Sequence, residues 1–559
     1  MNLAGVLLAT ADSAPERLAL LGPERVTYGQ LAGMAASVAA EVARHAGAAD
    51  RVAIVAGNET PFVAAYLGTL LAGAVAVPLN VGSPSHEVAR ELDVVAPVLV
   101  LASAAYADLA RRAVGQLTTR RGDSSEDSPR PSASEFGTAG DSSEDSPRAT
   151  GESTPAGDSS GESSQRGITV VVVDDLVAAP AGGAAAPAPA PAPKESSDLA
   201  VLLFTAGTAG APRPAMLTHG SLLANIEQMQ SHPGLRVTQS DVALGVLPLF
   251  HVYGLNVVVG LALQAGGSVS LIDHFHPVET LARVRADGVT VVAGVPAIFD
   301  AWLGLDDAAA PANAFASVRL CVSGASTLGA QTASAMQERF GVVVHDGYGL
   351  TEASPVVTTT AVETGRRPGS IGPPLPGVEV RLVGDDGHAA LEGDPGEIVV
   401  RGANVFAGYW NDPDATGAVL VDGWLHTGDI AVAGPDGWLT LVDRAKDVVI
   451  VSGFNVFPGE VEDALRSHRD VADVAVIGEP HPRTGETVVA FVVPRPGSTP
   501  DPVELLRHAG RQLARYKLPT RVEVVDSLPR SFAGKLLRRS LSSAPAAGRG
   551  LDDATTKPA

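Results

Sequence analysis

Residues 51–79 read RVAIVAGNETPFVAAYLGTLLAGAVAVPL. Arg51–Val55 is a short β-branched run, Pro61–Ala72 carries apolar residues at helical spacing, and Ala74–Leu79 (AVAVPL) reads as a second strand. Two strands separated by a helix pair in parallel, because a parallel partner is reached only by a crossover connection. The expected fold class is therefore α/β, with helices covering a parallel sheet.

Further along, the alternation stops. Gly122–Arg130 reads GDSSEDSPR, Gly140–Arg148 repeats it letter for letter, and Gly157–Ser160 echoes it in part. Between Arg121 and Arg166 stand ten acidic and four basic residues with almost nothing apolar. Such a segment cannot bury enough surface to offset its ordering entropy. A disordered surface insertion is expected over about 117–166, followed by an extended Ala/Pro-rich stretch at 179–193. The strand-like Gly167–Leu176 between them belongs to the folded body. A phosphorylated or partner-binding tether is the functional alternative for the repeats.

From Asp198 the α/β alternation resumes and continues to about Asp443. A smaller unit follows, with strand-like Val471–Ile477 and Val488–Val493 beside helix-like Gly459–Ser467 and Val503–Ala514. The expected division is 1–443, 444–541 and a frayed tail at 542–559. A chain of 559 residues with 45% hydrophobic content is too long for one ordinary domain and ample for several buried sheets. The formal charge of −22 argues against a nucleic-acid surface. Cys321, the single cysteine, excludes an internal disulfide framework and suits a reducing compartment. No apolar run approaches the roughly 20 residues of a membrane span. Met1–Ala11 lacks the basic residue of a secretory signal, so a cytoplasmic location is expected.

Phe204–His219 reads FTAGTAGAPRPAMLTH after the apolar strand Leu199–Leu203. A strand opening into a loop of small residues and hydroxyls exposes backbone N–H groups that can wrap phosphate oxygens. It is not a Walker loop, since the GK[ST] ending is missing. Four more motifs follow in order: HDGYGLTE at His345–Glu352, WLHTGD at Trp424–Asp429, DRAKDVVIVSGFNVFPGEVE at Asp443–Glu462, and LPRSFAGKLLR at Leu528–Arg538. Spread over about 335 residues, these together closely resemble the adenylate-forming superfamily of acyl-CoA synthetases, peptide-synthetase adenylation domains and beetle luciferases. The resemblance covers nearly the whole chain apart from the repeats and the tail. It implies a large N-terminal domain of layered sheets and helices, a small mobile α+β C-terminal domain, and an active site between them.

The chemistry implied by the resemblance explains the residue types. A carboxylate must attack the α-phosphate of ATP, and both are negative, so positioning and cations around the phosphates are required. Thr205, Gly207, Thr208, Gly210 and Arg213 are expected at the β- and γ-phosphates, Thr351 at the α-phosphate, and Glu352 at a Mg²⁺ ion. Tyr348 is expected against the adenine and Asp346 at its amino group. Asp429 would accept from the ribose hydroxyls with Arg444 supporting it, and Lys535 would bridge carboxylate and α-phosphate. Outside this context Asp429 reads as a turn aspartate, Lys535 as a solvated lysine, and Glu352 as a helix N-terminal acid.

The branch of the superfamily is read from the acceptor side. Leu247–Leu255 (LPLFHVYGL) lacks the aspartate with which peptide-synthetase domains bind an amino group, and no carrier domain is expected after residue 541. Both point to coenzyme A as acceptor. His251 resembles a histidine that gates the acyl pocket. Val295, Gly324, Ala325 and Gly349 are expected to line that pocket, the small residues leaving room for an aliphatic chain. Asp443 matches the hinge, about which the small domain would turn to present Ser452, Gly453 and Phe454 to the pantetheine arm. The expected activity is an AMP-forming ligation of a medium- or long-chain fatty acid to coenzyme A. Alternatives are a ligase for aromatic or other carboxylates, a luciferase-like oxidoreductase, and a weakened binding protein on the same fold. The second needs an aromatic pocket, against 4% aromatic residues.

The phosphate loop departs from its relatives. Alanines 206 and 209 stand where serine and threonine are usual, and Arg213–Pro214 replaces lysine and glycine. A hydrogen bond to a charged acceptor contributes about 1.5–3 kcal/mol, enough for about a tenfold change. Restoring both hydroxyls, Ala206→Ser with Ala209→Thr, is expected to tighten ATP binding or speed adenylation about tenfold. Titrating ATP in a pyrophosphate-exchange assay reads the effect. A change under about twofold would mean that paired contacts of Arg213 already compensate.

Overall fold

Successive residues of the strand Arg51–Val55 enter different cores. Val52 and Ile54 join the central one, while Ala53 and Val55 join a second on the other face. Leu99 and Leu101 alternate in the same way with Val100 and Ala102. Both faces of this sheet are therefore covered, as a continuous apolar run in a parallel strand requires. The computed structural model describes residues 1–123, 168–178, 190–205, 213–362, 367, 369–384, 386–444, 447–451, 454–481, 483–530 and 536–542.

The sheet runs Thr169–Val172, Leu99–Ala102, Arg51–Val55, Val75–Pro78, Leu199–Thr205, Arg213–Thr218, parallel up to the last pair. Helices Ser85–Val95 and Ala107–Asp123 cover its outer face. A second sheet has eight strands among the described residues. Its order is Val356–Thr359, Val344–Gly349, Leu320–Ser323, Val291–Gly294, Val242–Gly245, Ser268–Leu271, Leu18–Leu21, Arg25–Thr27, with only the outermost pairs antiparallel.

Both sheets contribute to one central core, and the helix Thr60–Leu71 lies in it with every residue from Phe62 to Leu71 buried. That explains why the helix is apolar all round rather than striped. Its neighbour Tyr28–His45 starts at a capping box, the Thr27 hydroxyl accepting from Gln30 N–H while Gln30 Oε1 accepts from Thr27 N–H. A third, antiparallel sheet carries Trp424–Ala433 between Pro395–Gly402 and Leu439–Arg444. The small C-terminal unit builds its own sheet around the hairpin Val471–His481 and Gly485–Pro494. No described helix is long and apolar enough to cross a membrane.

Three expectations need correction. The helix Ala107–Asp123 runs past residue 117, where the insertion was expected to begin. Gly167–Leu176 is a strand only over Thr169–Val172. It then turns into the helix Asp174–Val177, because Asp174 Oδ2 accepts from Ala104 N–H at 2.7 Å. The helix expected over Val503–Ala514 is Pro502–Ala509 and is capped at Gly510, the poorest helix former in the run. The Ala/Pro stretch ends tied to the body, with Ala192 N–H donating to the Leu71 carbonyl at 3.0 Å. Apart from Gly122 and Asp123, which end the helix Ala107–Asp123, the GDSSEDSPR repeats lie outside the described residues.

The two central helices meet at Gly68, where an added Cβ would lie 2.5 Å from Val38 Cβ and 2.7 Å from the Ala35 carbonyl oxygen. Alanine gains about 1 kcal/mol of helix propensity, whereas overpacking against backbone costs roughly 1–3 kcal/mol. Gly68→Ala is therefore expected to lower the melting temperature, and an unchanged or raised value would show that the helices can separate freely.

Candidate active site

The groups expected to do chemistry come from all three sheets: Thr205 and Arg213 from the first, Tyr348 from the second, and Asp429 from the antiparallel third. Thr205 closes the first sheet's strand Leu199–Thr205 and pairs with Arg213, so the intervening loop leaves and returns at one point. Its hydroxyl donates to the Arg213 carbonyl at 3.3 Å. The Arg213 guanidinium meets Asp412 Oδ2 at 3.1 Å. Gly207, Thr208 and Gly210 lie outside the described residues.

Tyr348, on the strand Val344–Gly349, donates its hydroxyl to Asp429 Oδ2 at 2.8 Å. Asp429 is opposite Arg444 across the antiparallel pair Trp424–Ala433 and Leu439–Arg444. The strand just before Asp429 is clamped by a residue that the sequence did not single out. Glu397 Oε1 accepts from Gly428 N–H at 2.9 Å and its Oε2 meets His426 Nδ1 at 2.8 Å. Gly428 needs its glycine, with φ +70°. Nothing in the alternating strand around Glu397 distinguishes it locally from a solvated acid.

Thr351 and Glu352 form a short 3₁₀ turn just beyond Tyr348. Glu352 Oε1 accepts from the Tyr409 hydroxyl at 2.7 Å. Thr205, Arg213, His251, Val295, Gly324, Ala325, Tyr348, Gly349, Thr351, Glu352 and Asp429 all line one cavity of 1010 Å³. Asp346 is buried beside it without lining it, and its backbone N–H donates to the Thr360 hydroxyl at 2.7 Å.

From its polar mouth the cavity continues along the sheet. Val291, Ala293 and Val295 line it at every second position, as do Leu320, Val322 and Gly324, so each series lies on one face. Four residues of strand extend about 13 Å. The opposite wall is Tyr253–Gly260, wound as a π-helix, which contributes Tyr253, Gly254, Val257 and Val258. Gly324 is packed beneath Tyr253, where an added Cβ would stand 3.0 Å from the ring. A Cβ on Gly349 would stand 2.2 Å from the Pro355 carbonyl oxygen. Ala325 lines the cavity at φ +67°, a strained conformation for alanine. Burial pulls the His251 imidazole down to about 4, so it is neutral at neutral pH.

The small unit reaches the same cavity through Asp447, Leu536, Leu537 and Arg538. Leu536 bridges to Arg530, and Leu537 N–H donates to the Pro529 carbonyl at 2.9 Å, so the two sides of the segment containing Lys535 are paired. Lys535 itself, Ser452, Gly453 and the side chains of Asp443 and Arg444 lie outside the described residues. Phe454 is exposed, packs on Tyr516 with centroids 4.9 Å apart, and is not among the cavity-lining residues.

Known proteins resemble this chain over both parts. A long-chain-fatty-acid–CoA ligase of Escherichia coli O157:H7 is 39% identical over 357 residues, 62% of this chain and 61% of that ligase. The chain thus spans less than two thirds of that relative. A feruloyl-CoA synthase of an Amycolatopsis species is 40% identical over 348 residues, 61% of this chain and 69% of the synthase. The ATP-bound crystal structure of MatB from Rhodopseudomonas palustris superposes with a TM-score of 0.82 at 30% identity, covering 97% of this chain and 98% of MatB. Residues 460–535 match the C-terminal domain of AMP-binding enzymes. Residues 7–410, well over half of the chain, match the AMP-binding enzyme family itself, and the chain belongs to that family.

Proposed function

We propose that the chain is an ATP-dependent acyl-CoA ligase that activates a medium- or long-chain fatty acid. The observation that carries this reading is the shape of the cavity, polar at the strand ends and apolar along the sheet. Among the described residues its far lining, including Met229, Leu235, Ala243, Leu261, Val291 and Leu320, offers no charged side chain. A distal carboxylate or phenol placed there would lose its water without gaining a partner, which disfavours dicarboxylic and hydroxycinnamic acids.

In the first half-reaction a carboxylate oxygen attacks the α-phosphorus of ATP and the bond to pyrophosphate breaks. Arg213 and the loop after Thr205 hold the β- and γ-phosphates, and Thr351 donates to the α-phosphate. Asp429, oriented by Tyr348 and by the Glu397 clamp, accepts from the ribose. Lys535 bridges carboxylate and α-phosphate. Among the described residues no cluster of three or more His, Cys, Asp or Glu could hold a metal. A lone Glu352 suits Mg²⁺, which takes one or two carboxylates and completes its shell with phosphate and water. When bound with ATP, Mg²⁺ neutralises phosphate charge. In the second half-reaction the thiol of coenzyme A attacks the acyl carbon and AMP leaves. The small domain turns at Asp443 between the two, withdrawing Lys535 and bringing Ser452, Gly453 and Phe454 to the pantetheine arm.

Acyl-CoA products from acids of graded chain length, together with aromatic and dicarboxylic acids, test the substrate. Medium or long aliphatic acids are expected to give the highest kcat/KM. Ala293→Phe, which fills the cavity midway, is expected to move the preference toward short acids by about tenfold or more, a few methylenes of lost burial. A preference for ring or dicarboxylic acids would sink the assignment. The lysine role is tested separately: Lys535→Ala should abolish acyl-adenylate formation while thioester formation from supplied acyl-adenylate survives. Equal loss in both half-reactions would remove Lys535 from the first.

A further inference from the structure

Glu352 and Arg213 come from distant parts of the chain, and one short stretch, Phe406–Trp410, touches both. Its backbone lies beside the strand Arg213–Thr218. Ala407 N–H donates to the Met216 carbonyl at 2.9 Å, Met216 N–H to the Gly408 carbonyl at 2.9 Å, and Trp410 N–H to the Pro214 carbonyl at 2.8 Å. At the other end Phe406 N–H donates to the Glu352 carbonyl at 2.9 Å. Gly408 makes the bend at φ +118°, where a Cβ would lie 2.5 Å from Thr416 Cγ2. The next N–H, that of Tyr409, donates to the Thr416 hydroxyl at 2.9 Å.

This strap fixes the backbone of Tyr409 between the two charged groups. Its hydroxyl lies 2.7 Å from Glu352 Oε1, and its ring centroid 6.0 Å from the Arg213 guanidinium carbon. We propose that Tyr409 is a positioning residue for Glu352, its hydroxyl occupying one carboxylate oxygen so that the other serves the cation that accompanies ATP. The inference rests on the ATP-dependent reading above. In this contact the phenol hydroxyl donates and the carboxylate oxygen accepts. A donor held at Oε1 keeps the carboxylate from closing on a cation with both oxygens, which suits the octahedral demands of Mg²⁺. The bland role for Tyr409 is packing, since its ring also meets Phe406 edge-on at 5.0 Å. Removing only the oxygen separates the two.

The test is calorimetric titration of ATP into full-length wild type and Tyr409→Phe over a series of Mg²⁺ concentrations, with no carboxylic acid present. The variant is expected to need about tenfold more Mg²⁺ for the same gain in ATP affinity. ATP binding without Mg²⁺ should stay within about twofold of wild type. In a Glu352→Gln background, loss of the hydroxyl should add less than about twofold, because the two groups act as one unit. Should the variant melt early, the ratio of affinities with and without Mg²⁺ in the same sample still decides, since a partly unfolded fraction cancels from it. An unchanged ratio in Tyr409→Phe, or additive losses in the double variant, would overturn the proposal. Failure of the ligase reading looks different: the wild type itself would bind no ATP and show no acid-dependent pyrophosphate exchange.

Discussion

The phenol of Tyr348 and the carboxylate of Asp429, 81 residues apart, meet at 2.8 Å where two sheets converge. Tyr348 ends a strand of the eight-stranded sheet, and Asp429 lies in the antiparallel sheet that follows it. A nearly buried carboxylate needs a donor, since a charge left unpaired in the interior costs several kcal/mol, on the order of 3–5. Around that pair the rest of the mouth is assembled. The Thr351–Glu352 turn continues from Tyr348, the Glu397 clamp shapes the strand just before Asp429, and the strand ending at Arg444 lies alongside.

The cavity separates two kinds of work by position along the strands. The charged groups Arg213, Glu352 and Asp429 collect at the mouth, brought there from three different segments of the chain. The apolar lining follows the strands inward, where alternate side chains of Val291–Val295 and Leu320–Gly324 share one face. His251 stands within this lining as a neutral ring, because burial disfavours its charged form.

Some of this was legible in residues 51–79 alone. Alternation of Val52 and Ile54 with Ala53 and Val55 encodes a strand buried on two faces, and the all-round apolar Phe62–Leu71 encodes a helix between layers. The motif residues Thr205, Arg213, Tyr348, Thr351, Glu352 and Asp429 were found by resemblance, and all of them line one cavity. Asp346 was expected among them and lies beside it. It shares the strand face of Tyr348, two residues on, yet is not among the residues that line the cavity.

What the sequence determined by itself was period and order: which segments are strands, which are helices, and in which succession the chemical motifs come. Those properties are local, set by side-chain spacing and by glycines at turns. Tertiary structure alone decided the contacts. Glu397, Tyr409 and Asp412 carry no local mark, since an acid in a strand and a tyrosine in a loop are ordinary until folding sets them against Gly428, Glu352 and Arg213. The length of the cavity is likewise a tertiary property. It depends on how far a π-helix from one part of the chain stands off the strands of another, a distance that no single segment encodes.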